Sequence, residues 1–180
     1  MAPEFIATPP ETKRSFPAVA NASTRVLIVG SLPGEASLAC SQYYANPKNQ
    51  FWRLMEAVVD ATLVAATYEE RLAALLSAGV GLWDVVRSAR RAGSLDANIR
   101  ESESNDLSGF VLTLPSLRAV VFNGSKASAL GRRQLGEAHG LTLLSLPSSS
   151  PAHAVPFRDK QLEWNRIRGF LRVEGGGAGM

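Results

Sequence analysis

The chain has 180 residues, of which 46% are hydrophobic and 19% are charged, and its formal net charge is +3. This length and balance fit one ordinary globular domain with a substantial core. No apolar run is long enough to span a bilayer, so we expect no membrane partner. A single cysteine, Cys40, excludes an internal disulfide and a cysteine-based zinc site or cluster.

The two ends of the chain differ in composition from the rest. Residues 1–23 are rich in Pro, Ala, Ser and Thr and lack the basic-then-apolar order of a secretion signal. We expect them to form a flexible N-terminal arm. Residues 174–180 read EGGGAGM, which predicts a disordered glycine-rich tail. The folded domain is therefore expected over residues 24–173.

Short apolar runs alternate with amphipathic stretches along this domain. The apolar runs predict strands over residues 25–30, 80–86, 117–122 and 141–146. Helical spacing and capping residues predict helices over residues 49–60, 68–78, 105–114, 125–135 and 157–173. The alternation indicates an α/β fold with a mainly parallel sheet covered on both faces.

Three of the predicted strands end in turn-forming polar sequences, which are GSLPG at 30–34, NGSK at 123–126 and PSSSP at 147–151. Ligands of parallel α/β folds bind beyond the carboxyl ends of the strands, so these turns indicate a binding site. Glycines let a backbone approach a phosphate closely, and hydroxyls between two prolines suit a phosphate backbone. GSLPG and PSSSP are also compatible with plain turns. Neither GxGxxG nor a P-loop is present.

Two alternatives apply to the individual polar residues. A Ser–His hydrolase would need a nucleophile turn such as GxSxG, which is absent, and His153 fits a solvent-facing loop. Asp84 lies in an apolar run, where burial requires donors, but it could also cap a turn or pair with nearby arginines. Asn123 before a glycine is typical of a turn.

The ordered motifs resemble the uracil-DNA glycosylase superfamily. The first is GSLPGEASLACSQYYANPKNQFW at 30–52, and the others are GVGLWDV, RAGSLD, FNGSKA and LPSSSPAHA at 79–85, 91–96, 122–127 and 146–154. Their order and register, over roughly residues 25–172, are most similar to the hypoxanthine-DNA (deoxyinosine) glycosylase branch. Asn46 and His153 depart from that branch, which tends to have His and Asn at these positions.

The resemblance implies a single three-layer α/β/α domain with a short, mainly parallel four-stranded sheet. It also implies an enzyme that flips a damaged nucleotide out of DNA and cleaves the N-glycosidic bond with no metal and no cofactor. Leu32 stands where many branches have their catalytic polar residue, so the catalytic role falls to Asn49. Because an amide is a weak base, Asn49 would orient a water in a largely dissociative reaction.

The resemblance assigns the base-binding positions to Ser31, Leu32, Tyr44, Phe51, Asp84 and Asn123. Tyr44 lies at the position of the superfamily's stacking aromatic, and Asp84 where relatives have a base-reading asparagine. An ionised Asp84 only accepts hydrogen bonds, so it favours bases with a ring N–H, such as hypoxanthine, xanthine and uracil. Adenine and cytosine present a lone pair there.

The resemblance assigns DNA contacts to the loop after the last predicted strand. Phosphate contacts fall to Ser148, Ser149 and Ser150, with Lys126 as a further contact. Ala152 and His153 lie in the loop that wedges into the vacated base stack in relatives.

The sequence therefore predicts a monofunctional DNA glycosylase of base-excision repair. Its expected partner is DNA, its expected state is a monomer, and its expected place is the cytoplasm, associated with the nucleoid. Two alternatives stay open: a uracil-specific glycosylase, and a non-catalytic binder of damaged or single-stranded DNA. The second is motivated by Leu32.

Overall fold

A computed structural model describes residues 11–137 and 140–173. The strands are β1 Thr12–Arg14, β2 Val26–Gly30, β3 Val80–Asp84, β4 Val86–Arg90, β5 Arg100–Ser104, β6 Ala119–Asn123 and β7 Thr142–Leu146. The helices are α1 Glu35–Cys40, α2 Phe51–Val59, α3 Tyr68–Ser77, α4 Leu107–Val111, α5 Ser125–Leu135, α6 Phe157–Trp164 and α7 Arg168–Leu171. No helix in the described ranges has the length and apolar character needed to cross a membrane.

The central sheet is parallel and has the strand order β3-β2-β6-β7. Every residue of β2 and β6 is buried, as expected for central strands covered on both faces. Successive side chains of a strand point to opposite faces, so this sheet separates two apolar clusters. Val26 and Ile28 pack toward α2, α3 and α6, whereas Leu27 and Val29 pack toward α4 and α5. The predicted three-layer α/β/α domain with a four-stranded parallel sheet is confirmed.

A second sheet, antiparallel and ordered β1-β4-β5, lies outside the sequence prediction. All five residues of β5, RESES, are exposed, so this segment lacks the alternation of apolar and polar residues that would predict a strand. The predicted strand over residues 80–86 is divided, since β3 ends at Asp84 and β4 begins at Val86. The helix predicted over residues 157–173 is likewise interrupted by a 3₁₀ turn at Asn165–Ile167.

Part of the expected flexible arm is attached to the domain. Residues 12–14 pair with β4, and Val19 exchanges backbone hydrogen bonds of 2.9 and 2.8 Å with Leu82. The Tyr43 hydroxyl donates to the Pro17 carbonyl at 2.9 Å. The expectation of flexibility is therefore wrong from residue 12 onward, because backbone pairing and a buried tyrosine fix this segment. The earlier part of the arm and the predicted tail at 174–180 lie outside the described residues.

Candidate active site

The carboxyl ends of the four parallel strands meet at one edge of the sheet, and a cavity of about 430 Å³ opens there. This volume is in the range of small-molecule sites. The loops after β2 and β7 line it, together with the last residues of β3 and β6, the loop between β4 and β5, and the segment before α2. The lining residues are 30–37, 43, 44, 46, 49, 84, 94–96, 123 and 148–153.

Asp84 forms the floor of this cavity at the end of β3. It is opposite Gly30 in the parallel register of β2 and β3, and its residue is only 4% exposed. A Cβ at position 30 would lie 2.6 Å from Asp84 Oδ1, so the carboxylate keeps this position only because residue 30 has no side chain. The turn after β2 therefore starts with a glycine, because a larger residue would crowd the Asp84 side chain.

The Asp84 carboxylate has no ion-pair partner among the described residues, and its Oδ2 is buried without a hydrogen bond. Burial raises the pKa of Asp84 to about 7, and the nearby Asp96 charge adds to this while Arg91 acts in the opposite direction. The structure does not support the alternative in which Asp84 forms an ion pair with Arg87 or Arg90. Arg87 pairs with Glu103 and Arg90 with Glu101.

Asn49 lies at the rim of the cavity, two residues before α2. Its Oδ1 accepts a hydrogen bond from the Phe51 N–H at 2.9 Å, and its backbone N–H donates to the Asn46 carbonyl at 2.8 Å. The side chain is thus oriented by the start of the helix. One lone pair of Oδ1 and the Nδ2 group have no protein partner in the described ranges, which leaves them available to a water or a substrate.

Tyr44 lines the cavity and stacks on Phe51, with ring centroids 3.8 Å apart and an interplanar angle of 13°. Phe51 is fully buried and is not a lining residue. This corrects the predicted contact between Phe51 and the base: Phe51 supports Tyr44 from below. Among the described residues, the Tyr44 hydroxyl is buried without a hydrogen-bond partner. Burial and the nearby Asp84 charge raise the pKa of Tyr44, and the Asn123 amide beside it acts in the opposite direction.

Asn123, at the end of β6, holds the serine loop with two hydrogen bonds. Its Nδ2 donates to Ser149 Oγ at 2.9 Å and its Oδ1 accepts from the Ser149 N–H at 2.8 Å. The Ser149 carbonyl in turn accepts from the Gln50 N–H at 3.0 Å. Asn123 therefore lines the cavity mainly as a positioning residue, with its amide already paired.

Ser149 is 0% exposed, which corrects its predicted phosphate contact. Ser148 and Ser150 remain half-buried in the cavity wall, and their hydroxyls accept the Ser150 and Ala152 N–H groups at 3.1 and 3.2 Å. Ala152 and His153 are exposed at its edge. Two of the three serines thus have hydroxyls that can reach DNA.

Lys126 lies in the first turn of α5 and is not a lining residue. Its charge is close enough to Asp96 to oppose the rise in the pKa of that carboxyl. Lys126 therefore lies near Asp96 but outside the lining, whereas Ser31 and Leu32 lie in the cavity wall at 8% and 6% exposure.

A sequence profile described as the uracil DNA glycosylase superfamily matches residues 17–171. The chain belongs to this superfamily. Two relatives carry the name hypoxanthine DNA glycosylase. The protein of Methanosarcina acetivorans is 40% identical over 155 residues, covering 86% of this chain and 97% of the relative. That of Methanosarcina barkeri is 36% identical over 152 residues, covering 84% and 95%.

A solved structure agrees with this membership of the uracil DNA glycosylase superfamily. It is the solution NMR structure of a candidate uracil DNA glycosylase from Methanosarcina acetivorans, with a TM-score of 0.80 and 39% identity. The match covers 90% of this chain and 100% of that one. At 39% identity, this similarity supports membership of the same family as well as a shared fold.

Asp96 and Arg91 belong to the site but were not among the predicted site residues. Asp96 lines the cavity, and its Oδ1 accepts a hydrogen bond of 2.6 Å from Ser31 Oγ. Arg91 is 1% exposed and donates to the Leu32 carbonyl at 3.2 Å and to the Pro33 carbonyl. The RAGSLD motif was the available signal, since both residues stand at its ends.

Proposed function

We propose that this protein is a monofunctional DNA glycosylase that flips deaminated bases out of DNA and hydrolyses their N-glycosidic bonds. Hypoxanthine is the first substrate and uracil the second, with xanthine as a further candidate. The observation that carries the proposal is Asp84, a carboxylate buried at the floor of a cavity at the sheet edge with no ion-pair partner among the described residues. Such a costly group is expected where it serves recognition or chemistry.

Asp84 supports the choice of substrate. In its ionised form it accepts a hydrogen bond and donates none, so it pairs with a ring N–H. Deamination of adenine or cytosine replaces a ring lone pair with a ring N–H, as in hypoxanthine and uracil. The floor of the cavity therefore discriminates the damaged base from its parent. Guanine and thymine also have a ring N–H and must be excluded by shape, for which Tyr44 in the wall is a suitable barrier.

Asn49 supports the proposed chemistry. Its amide holds a water but does not remove a proton strongly, so the bond to the base breaks before the water attacks. The protein then stabilises charge separation between a cationic sugar and an anionic base. Two hydrogen bonds of the segment before α2 fix the orientation of Asn49 before DNA binds.

The same edge offers contacts to DNA. The Ser148 and Ser150 hydroxyls and the Lys126 ammonium group surround the mouth of the cavity and suit phosphates on either side of a flipped nucleotide. The exposed Ala152 and His153 are the candidates for the wedge that fills the vacated stack. We infer a monomer acting on chromosomal DNA, with no second subunit needed to complete the cavity.

The test is base release from oligonucleotides that each carry one inosine, uracil or xanthine, with undamaged DNA as control. We expect hypoxanthine to be released fastest. Release of uracil alone would favour the uracil-specific alternative, and binding without any release would favour the non-catalytic one. Asn49→Ala should lower the cleavage rate by about 100-fold or more with DNA affinity nearly unchanged, since it removes only the water-holding amide. Asn165→Ala, outside the cavity, serves as its control.

A further inference from the structure

Asp96 is a carboxylate that lines the cavity, and the roles proposed for Asp84 and Asn49 leave it without a function. It is half-buried in the wall of the cavity, and the Ser31 hydroxyl donates to its Oδ1 at 2.6 Å. Within residues 11–137 and 140–173, this is the one hydrogen bond that the Asp96 carboxylate receives. The second oxygen is therefore free to interact with a molecule in the cavity.

Hydrogen bonds connect the loop that carries Asp96 to the segment that follows β2. Ser94 Oγ accepts the Glu35 N–H at 2.9 Å, on the same side as the Ser31 bond. The buried Arg91 guanidinium adds hydrogen bonds to the Leu32 and Pro33 carbonyls. Three separate connections thus fix the position of the carboxylate before substrate enters, as a preorganised catalytic group requires.

The proposed hydrolysis needs a proton acceptor that Asn49 does not provide. A water that bonds to C1′ of the sugar must lose a proton, and an amide is too weak a base to take it. Three carboxylates of the described chain line the cavity: Glu35, Asp84 and Asp96.

Two of these three carboxylates are occupied by other interactions. Glu35 forms an ion pair with Lys13 at the outer rim. Asp84 lies at the floor with 4% exposure, beneath the position expected for the base. Asp96 remains, with one oxygen fixed by Ser31 and the other open.

We propose that Asp96, oriented by Ser31, accepts the proton of the attacking water. The C1′–N bond breaks and its electron pair leaves with the base, the water oxygen bonds to C1′, and the water proton moves to the free Asp96 oxygen. That proton then passes to the departed base or to solvent, which regenerates the carboxylate. This role rests on the proposed glycosylase function. The carboxylate would come from the loop between β4 and β5 and would act beside the turn after β2, where Leu32 replaces the catalytic polar residue of many branches.

The surroundings of Asp96 suit such a base. Burial raises the pKa of Asp96, while the Ser31 hydrogen bond and the Arg91 and Lys126 charges lower it. A carboxylate that is less acidic than usual is a better proton acceptor once it is ionised. Its negative charge also stabilises the cationic sugar, which adds to the effect of the DNA phosphates.

Asp96→Asn tests the proposal, because asparagine has the same size and keeps an oxygen for the Ser31 hydroxyl. We expect single-turnover release of hypoxanthine to fall about 100-fold, because the variant loses both the proton acceptor and the negative charge that stabilises the cationic sugar as the bond breaks. Binding of an oligonucleotide with a slowly cleaved 2′-fluorinated inosine should stay within about 2-fold, because a proton acceptor acts after binding. Asp60→Asn, an exposed residue at the end of α2, is the matched control and should change neither.

The pH profile distinguishes a proton acceptor from a structural residue. In the wild type the rate should rise with pH as Asp84 and Asp96 both lose protons beside the charges of Arg91 and Lys126. In Asp96→Asn one ionisation should disappear, and the remaining rise should move to lower pH, because the Asp96 charge raises the pKa of Asp84. Added formate should restore part of the rate to Asp96→Ala but none to Asn49→Ala.

Each other outcome has a defined meaning. An unchanged rate and pH profile in Asp96→Asn would overturn the role of Asp96. So would an equal loss of rate and of analogue binding, which would make Asp96 a DNA-anchoring residue. A wild-type protein that binds DNA but releases no base overturns the proposed function itself, together with this role, before any variant is compared.

Discussion

At the scale of single residues, Asp84 has a cost in the stability of the folded protein. Its carboxylate has no ion-pair partner among the described residues and is only 4% exposed, so it is destabilising when ionised and its pKa rises to about 7. The adjacent Tyr44 hydroxyl is a second buried group without a partner. The two lie within 3.4 Å of the point that a Cβ of residue 30 would occupy. The floor of the cavity therefore concentrates unsatisfied polarity, as expected of a site that a ligand completes.

The cost at Asp84 predicts a pH-dependent stability difference. The pKa of Asp84 is about 7 in the folded protein, whereas the ordinary pKa of a solvated aspartate is 3.8. Between these two values the folded state binds a proton that the unfolded state lacks, so wild-type stability should fall as pH rises through this window. Asp84→Asn removes the ionisation and should raise the free energy of unfolding at pH 8 by roughly 2–4 kcal/mol.

Urea unfolding of both proteins at pH 4 and pH 8 checks the sign. The stabilisation of Asp84→Asn should shrink toward pH 4, where the wild-type carboxyl is protonated in the folded state. A gain of the same size at both pH values would assign the effect to packing and not to the charge. Asp60→Asn, an exposed residue outside the cavity, is the control for the substitution itself.

The neighbouring tyrosines give a matched pair for the second unsatisfied group. Tyr44→Phe keeps the stacking on Phe51 and removes a buried hydroxyl without a partner, so the free energy of unfolding should stay equal or rise by about 1 kcal/mol. Tyr43→Phe removes a hydroxyl that donates to the Pro17 carbonyl and should lower it by about 1 kcal/mol. Thermal unfolding measures both, and a loss of equal size in the two variants would show that the Tyr44 hydroxyl has a partner.

At the scale of elements, the site depends on how two strands approach each other. β2 and β3 are in parallel register with Gly30 opposite Asp84, so the carboxylate occupies the space that a side chain of residue 30 would fill. The turn after β2 is then fixed by the loop that carries Arg91 and Asp96. Loop and turn form one unit, which explains why polar residues far apart in sequence line a single wall.

Gly30→Ala tests this dependence on strand register. The new methyl would lie 2.6 Å from Asp84 Oδ1, so the carboxylate must move or the strand must shift. We expect release of hypoxanthine to fall by at least about 10-fold, in line with the cost of misplacing a catalytic or binding group by a small distance. Gly169→Ala, where a Cβ meets nothing within 4 Å, is the control and should leave the rate unchanged. Normal excision by Gly30→Ala with a native fold would remove Asp84 from base reading.

The elements differ in how much of them the sequence could predict. The four parallel strands follow from short apolar runs, and the helix over Ser125–Leu135 follows from its helical spacing; both are local signals. The exposed strand Arg100–Ser104 has no such signal, and its pairing with β4 depends on tertiary context.

The same distinction holds for the site. Asp84 could be recognised because a carboxylate inside an apolar run is costly to bury, and Asn123 because it follows a predicted strand, where a parallel fold places its ligands. The burial of Phe51 and Ser149, and the approach of Asp96 to Ser31, required knowledge of which loop packs against which. Sequence motifs identified the segments that meet, but the direction of each side chain depends on packing between them.

At the scale of the whole molecule, the net charge is small, so the positions of the individual charged residues decide how DNA binds. The net charge is +3, and three carboxylates line the cavity, so DNA is not attracted by a strongly basic pocket. Helix α5 runs away from the sheet edge, with Lys126 in its first turn at the cavity and Arg133 in its last turn at the far end. Phosphate contacts should therefore be few and confined to the cavity side.

This arrangement predicts an uneven effect of two charge removals on the same helix. Lys126→Ala should weaken DNA binding at low salt and reduce the slope of log affinity against log salt by about 1, because one phosphate contact is lost. Arg133→Ala removes the same charge from the far end and should leave the slope unchanged. Fluorescence anisotropy with a labelled oligonucleotide, at several salt concentrations, measures both slopes. Equal effects of the two variants would mean that only the net charge matters, and that the carboxyl edge of the sheet is not where the duplex lies.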